Sequence, residues 1–178
     1  DEFEDVWFEI GFGGSEHLLW QAQANPNIQC WGAEPFENGV AKALRGISDD
    51  DLTNVRLHHG DARDIISGLP EASLGRVFVL FPDPWHKTRH HKRRLINEKF
   101  IEELHRIIRP GGTFRFASDI IHYVDWTLTR LHKHGGFTWS PASKENWRTR
   151  PDDWPGTRYE AKAGREGREC HYFEFTRV

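Results

Sequence analysis

A chain of 178 residues has the length of one domain and can bury a single hydrophobic core. A hydrophobic fraction of 37%, with 8 Trp and 12 Phe, excludes disorder, while 29% charged residues and a mean hydropathy of -0.71 exclude a membrane protein. The net charge of -3 gives no global attraction for nucleic acid, so any such affinity has to come from a local basic cluster.

Residues 1–178 therefore read as one domain without a linker. The longest strongly apolar run, Val77 to Phe81, is far too short to span a membrane, and no signal peptide opens the chain; the cytoplasm is the expected location. A strand-like run begins almost at once after Asp1, with no Met before it, and a further N-terminal segment is expected to precede it. Cys30 and Cys170 match no zinc pattern and read as ordinary thiols. The adjacent pairs His58-His59 and His90-His91 lack the three- or four-residue spacing that aims two ligands at one metal, so no metal is expected.

In chain order, apolar or β-branched runs lie at Val6 to Ile10, Ile28 to Ala33, Val55 to His58, Val77 to Phe81 and Thr113 to Ala117. Longer, helix-compatible stretches separate most of them, which predicts a parallel sheet covered on both faces. Ser15 to Ala24 and Glu98 to Ile108 carry apolar residues at helical spacing, Arg109-Pro110-Gly111-Gly112 is a helix stop, and Tyr123 to His132 is another amphipathic helix. Two late runs, Phe137 to Trp139 and His171 to Phe175, are expected to close the sheet as an antiparallel pair, joined by a polar connection rich in Arg and Trp.

Chemistry gathers at the predicted strand ends. Glu9-Ile10-Gly11-Phe12-Gly13-Gly14-Ser15 is a glycine turn from strand to helix, which lets backbone approach a nucleotide-like ligand; Glu9, two positions before the first glycine, can face a cationic one. Glu34 closes the second strand, where a carboxylate can accept both hydroxyls of a ribose, and Asp61-Ala62 follows the third, within reach of an adenine amino group. Phe81-Pro82-Asp83-Pro84-Trp85-His86-Lys87 follows the fourth, its two prolines restricting the backbone around Asp83. Directly after it, Lys87, Arg89, Lys92, Arg93 and Arg94, with His86, His90 and His91, form a basic stretch suited to phosphate. Trp85 is suited equally to stacking on a splayed base and to packing behind the loop.

With these elements the sequence resembles the bacterial tRNA (guanine-N7-)-methyltransferase family. The resemblance rests on Glu9-Ile-Gly-Phe-Gly, Phe81-Pro-Asp-Pro-Trp-His-Lys with Arg89-His-His-Lys-Arg-Arg94, Ser118-Asp119, and Thr157-Arg-Tyr-Glu160, in that order over nearly the whole chain. It implies an α/β, Rossmann-like class I methyltransferase fold: a mostly parallel seven-stranded sheet with helices on both faces and an antiparallel last strand. It places Glu9, Gly11, Gly13, Glu34, Asp61, Ala62 and Asp83 at S-adenosyl-L-methionine, with Asp83 also at the catalytic position. Lys87, Asp119, Thr157, Arg158, Tyr159 and Glu160 fall at substrate-binding positions, and the implied substrate is the guanine at position 46 in the tRNA variable loop. A monomer or homodimer is expected. Two departures stand out: Ser15 replaces a common loop glycine, and the family's N-terminal segment is not in this chain.

Rival readings explain fewer residues. An amino-directed nucleic-acid methyltransferase places Asp or Asn before Pro-Pro-aromatic, and Asp83-Pro84-Trp85 lacks the second proline. An NAD-dependent oxidoreductase would use the glycine turn and Glu34 but gives no reason for Asp83 and the basic stretch. A noncatalytic RNA-binding module would not need three carboxylates at successive strand ends.

Overall fold

The five apolar runs form the parallel part of one sheet in a computed structural model that describes residues 2–178. The strands are β1 (Asp5–Ile10), β2 (Ile28–Glu34), β3 (Val55–His59), β4 (Leu74–Leu80), β5 (Ile108–Ser118), β6 (Phe137–Thr138) and β7 (His171–Arg177). Their spatial order is β3-β2-β1-β4-β5-β7-β6. All neighbours are parallel except β7, which runs antiparallel to both β5 and β6. The seven-stranded, mostly parallel sheet with an antiparallel closing pair is thus present as expected.

The helices are α1 (Glu16–Ala24), α2 (Glu37–Asp49), α3 (Arg63–Ile66), α4 (Glu98–Ile107), α5 (Ile121–His134), α6 (Glu145–Arg148) and α7 (Arg158–Arg165). Side chains alternate across each strand, so a sheet covered on both faces buries both parities. Phe8 and Ile10 of β1 join Leu104 of α4 and Tyr123 of α5 in the larger core. Trp7 of β1 and Cys30 of β2 instead pack with Leu18 of α1 and Ala43 of α2 in a second one. Cross-strand stacking of Phe114 on Phe175 and Phe116 on Phe173, with ring centroids 5.9 and 6.0 Å apart, ties β7 to β5.

Two sequence expectations need correction. Arg109 to Gly112 does not precede the fifth strand. β5 already begins at Ile108, paired with Leu74, and the next pair is Thr113 with Arg76, so Arg109–Gly112 bulges out of the ladder. β4 stops at Leu80, because Phe81 takes a left-handed φ of 52° that strand pairing does not allow. The polar connection before β7, to which the sequence assigned no elements, holds α6 and α7. Among the described residues no helix is long and apolar enough to cross a membrane, and no group of three or more His, Cys, Asp or Glu could hold a metal ion.

Candidate active site

The chain passes from β1 through α1 to β2 on one side, then from β3 to β4 on the other side of β1. The sheet order therefore reverses between β1 and β4, and a crevice opens beyond their carboxyl ends. Ile10 pairs with Val79, so the glycine turn after β1 and the Phe81–Trp85 segment after β4 face each other across this switch point.

Gly11 and Gly13 take φ of 70° and 53°, and an added Cβ at either would meet nothing within 4 Å. Conformation, not crowding, demands glycine there, and the space above the turn stays open as a cradle. Ser15 has φ of 70° as well. A left-handed non-glycine residue costs about 1–2 kcal/mol, which gives the departure at this position a physical meaning. Ser15→Gly should raise stability by about 1 kcal/mol, read as a higher Tm, because the relief of strain exceeds the added freedom of the unfolded chain.

Glu34 holds the turn from below. Its buried carboxylate accepts the Gly13 amide at 2.8 Å through Oε2 and the Phe36 amide at 3.2 Å through Oε1. Gly39 of α2 packs against the same turn, where an added Cβ would sit 2.4 Å from the Gly13 carbonyl oxygen and 3.0 Å from Glu34 Cγ. Helix propensity alone favours Gly39→Ala by up to about 1 kcal/mol, whereas forcing a methyl against backbone costs about 1–3 kcal/mol. The clash wins. Gly39→Ala should lower the Tm and displace the Gly13 backbone, weakening any ligand seated on the turn; calorimetric titration against S-adenosyl-L-methionine checks it.

Glu9 is buried at the crevice floor, and its Oε2 lies 2.9 Å from Nδ1 of His17 in α1. Asp61 stands apart: its half-exposed carboxylate is forked by Arg63, with Oδ2 to Nη2 at 2.5 Å, and these hydrogen bonds lower its pKa. Such an exposed pair is worth at most about 1 kcal/mol, so Asp61 keeps acceptor capacity for a ligand. Ala62 is buried as the N-cap of α3.

The segment after β4 is strained at both ends, with Phe81 and Trp85 at φ of 52° and 45°. Between them Asp83 is exposed, and its Oδ1 accepts the Trp85 amide at 3.0 Å. Trp85 is half-buried, under the Arg93 guanidinium at 5.1 Å from its ring centre. Lys87 is exposed, with no ion-pair partner among the described residues, at the head of a 3-10 turn, Thr88–Arg93. Arg94 corrects the reading of the basic stretch. It is 1% exposed, so it offers nothing to phosphate.

On the far side, α7 leans over the turn. Thr157 and Glu160 form a reciprocal capping box at its start, with the Thr157 amide donating to Glu160 Oε2 at 2.9 Å and the Glu160 amide to Thr157 Oγ1 at 3.2 Å. The Thr-x-x-Glu spacing carried that signal in the sequence. The Arg158 amide donates to Glu16 Oε2 at 2.9 Å. The Tyr159 ring packs on Phe81 at 4.9 Å between centroids, and its hydroxyl donates to Asp119 at 3.1 Å. Burial, with the Asp119 charge beside it, pushes the Tyr159 phenol up to about 12. Asp119, buried at the end of β5, also accepts Arg168 Nε at 2.6 Å.

Glu9, Gly11, Gly13, Phe81, Thr157 and Tyr159 thus meet around one cavity of about 160 Å³. Asp119 touches it through Tyr159 and Glu34 through the Gly13 amide, while Asp61, Ala62, Asp83, Lys87, Arg158 and Glu160 lie outside its lining. His17 and Phe81, neither singled out from the sequence as site residues, belong to its walls. The donor set suits a cationic nucleoside: a buried carboxylate at the floor, an open backbone cradle, and acids at the next two strand ends.

This sheet order, with a glycine turn and acids at consecutive strand ends, defines a Rossmann-like class I methyltransferase. Residues 4–173 match the family described as "Putative methyltransferase". A tRNA (guanine-N(7)-)-methyltransferase of Ruegeria sp. is 50% identical over 173 residues, covering 97% of this chain and 68% of that protein. The protein of the same description from Agrobacterium fabrum is 46% identical over 176 residues, or 99% of this chain and 76% of the relative. The chain belongs to the tRNA (guanine-N7-)-methyltransferase family.

Solved structures show the fold at low identity. A precorrin-6y C5,15-methyltransferase from Geobacter metallireducens superposes with a TM-score of 0.67 at 14% identity, covering 99% of this chain and 83% of that one. A tRNA (m1A58) methyltransferase from Aquifex aeolicus gives 0.62 at 19% identity, with 98% and 62% covered. One fold serves both substrates, so the substrate has to be argued from the site.

Proposed function

We propose that this chain transfers a methyl group from S-adenosyl-L-methionine to N7 of the guanine at position 46 in the variable loop of tRNA. The observation that carries the reading is the switch-point crevice, where Glu9 and the glycine turn stand across from the rigid Asp83 segment. The relatives named above supply the substrate class. Glu9, Gly11, Gly13, Glu34, Asp61 and Ala62 hold the donor; Lys87, Asp119 and Thr157 to Glu160 hold the guanine and its strand.

S-adenosyl-L-methionine supplies an electrophilic methyl on a sulfonium sulfur. Guanine N7 already carries an exposed lone pair, so no proton has to leave before the new bond forms, and no cysteine or strong base is needed. The residues must instead align nucleophile, methyl and sulfur, which accounts for up to about 7–11 kcal/mol of barrier in favourable cases. The purine ends with a positive charge. The exposed Asp83 carboxylate can stabilise that charge or accept hydrogen bonds from the guanine N1 and N2 edge. Arg89, Lys92 and Arg93 beside it are exposed and take the backbone phosphates.

The test is transfer of labelled methyl to unmodified tRNA carrying guanine or adenine at the variable-loop position. Label recovered as 7-methylguanine from the guanine tRNA alone supports the proposal; label on another base or site overturns it.

A further inference from the structure

His17 is 3% exposed and sits between two groups that settle its proton. On one side its Nδ1 is 2.9 Å from Glu9 Oε2. On the other, its Nε2 is 3.3 Å from Gln21 Nε2. The orientation of the Gln21 amide is fixed independently: its Oε1 accepts Asn25 Nδ2 at 3.2 Å, and its Nε2 donates to the Asp153 carbonyl at 2.7 Å. Gln21 Nε2 is therefore a donor, His17 Nε2 the acceptor, and the imidazole hydrogen sits on Nδ1, directed at Glu9.

We propose that His17 is a positioning residue for the methyl donor: as the neutral Nδ1–H tautomer it fixes Glu9 Oε2 and leaves Oε1 to meet the donor's positive charge. A neutral imidazole orients the carboxylate without cancelling its charge, which a cation in the same place would do. Gln21 keeps the tautomer in place and, through the Asp153 carbonyl, anchors it to the segment that leads into α7. The inference rests on Glu9 being a donor-binding carboxylate, as argued under Proposed function.

Packing gives a competing account of the same residue, because the His17 ring lies edge-on to Phe78 and Trp154 at 4.6 and 6.1 Å. Two substitutions separate the accounts. In His17→Asn the side-chain amide nitrogen takes the place of Nδ1 and still donates to Glu9, but the ring is lost. In His17→Phe the ring stays and the donor is lost. Positioning predicts that Phe weakens S-adenosyl-L-methionine binding by about 10–100-fold, the size of effect expected on losing a hydrogen bond to a charged group, while Asn binds close to the parent. Packing predicts the reverse order, with Tm following packing in either case.

The measurement is calorimetric titration of the whole chain with S-adenosyl-L-methionine, beside thermal melts and with Glu9→Gln as control. Asn binding more tightly than Phe supports the proposal, and Phe equal to or better than Asn overturns it. If the Phe variant does not fold, His17→Tyr keeps the ring without a donor at the Nδ1 position and takes its place in the comparison. Glu9→Gln with parental affinity removes the role of Glu9 and this proposal with it. Loss of affinity in Glu9→Gln with both His17 variants at parental affinity overturns the role of His17 alone.

Discussion

Asp83→Asn is expected to reduce turnover on tRNA by about 10²–10³-fold, the usual cost of removing one group aimed at charge that develops in a transition state. Affinity for S-adenosyl-L-methionine should stay near the parent value. The substitution isolates charge from shape, because asparagine keeps the Oδ1 that accepts the Trp85 amide and the loop geometry should survive. Asp83 is exposed, so stability should move by no more than about 0.5 kcal/mol. Single-turnover rates beside donor titration make the measurement, and unchanged turnover would remove Asp83 from the chemistry. A tRNA with inosine in place of the target guanine then divides its two roles, since inosine lacks the N2 amino group. If Asp83 reads the guanine edge, the parent should prefer guanine and Asp83→Asn should lose that preference. If it only stabilises charge, both substrates should fall equally.

The parallel sheet was legible because its signals are local, whereas the order β3-β2-β1-β4-β5-β7-β6 is set by long-range pairing that no local run announces. Alternating β-branched runs and helix-compatible stretches dictate parallel pairing, and Gly11 and Gly13 announce the turn at the switch point. Glu9 and Glu34 were visible as strand-end acids, and the structure buries both. What each touches was not visible: the hydrogen bond from His17 is made across a turn, and that from Gly13 to Glu34 across two strands. The start of α7 was legible in principle, since Thr157-x-x-Glu160 is a capping signature, yet a polar segment without apolar periodicity reads as loop. Arg94 was not legible at all. In the run Lys92-Arg93-Arg94 each cation has the same local pattern, and only Tyr123 and Trp126 on α5 decide which one turns inward.

That inward turn leads to the other large effect. The Arg94 guanidinium lies 4.9 Å from the Tyr123 ring centre and 4.7 Å from that of Trp126, with no carboxylate partner among the described residues. Its Nε donates to the Pro84 carbonyl at 2.7 Å and its Nη2 to His122 Nδ1 at 3.0 Å, while the buried Nη1 has no hydrogen-bond partner. A buried cation held this way contributes little net stability, because desolvation offsets most of its contacts. Its specific contribution is the bond to Pro84, next to Asp83. Arg94→Met fills much of the same volume and should keep stability within about 1–2 kcal/mol. Turnover should nevertheless fall by up to about 10²-fold, since displacing a reacting group by about 1 Å costs that much. Arg94→Ala leaves a cavity between two aromatic rings besides and should lose about 2–5 kcal/mol. Thermal melts and kcat on the same preparations divide the two contributions. A methionine variant with parental kcat would mean that the prolines and the left-handed Phe81 and Trp85 hold the Asp83 segment without the arginine.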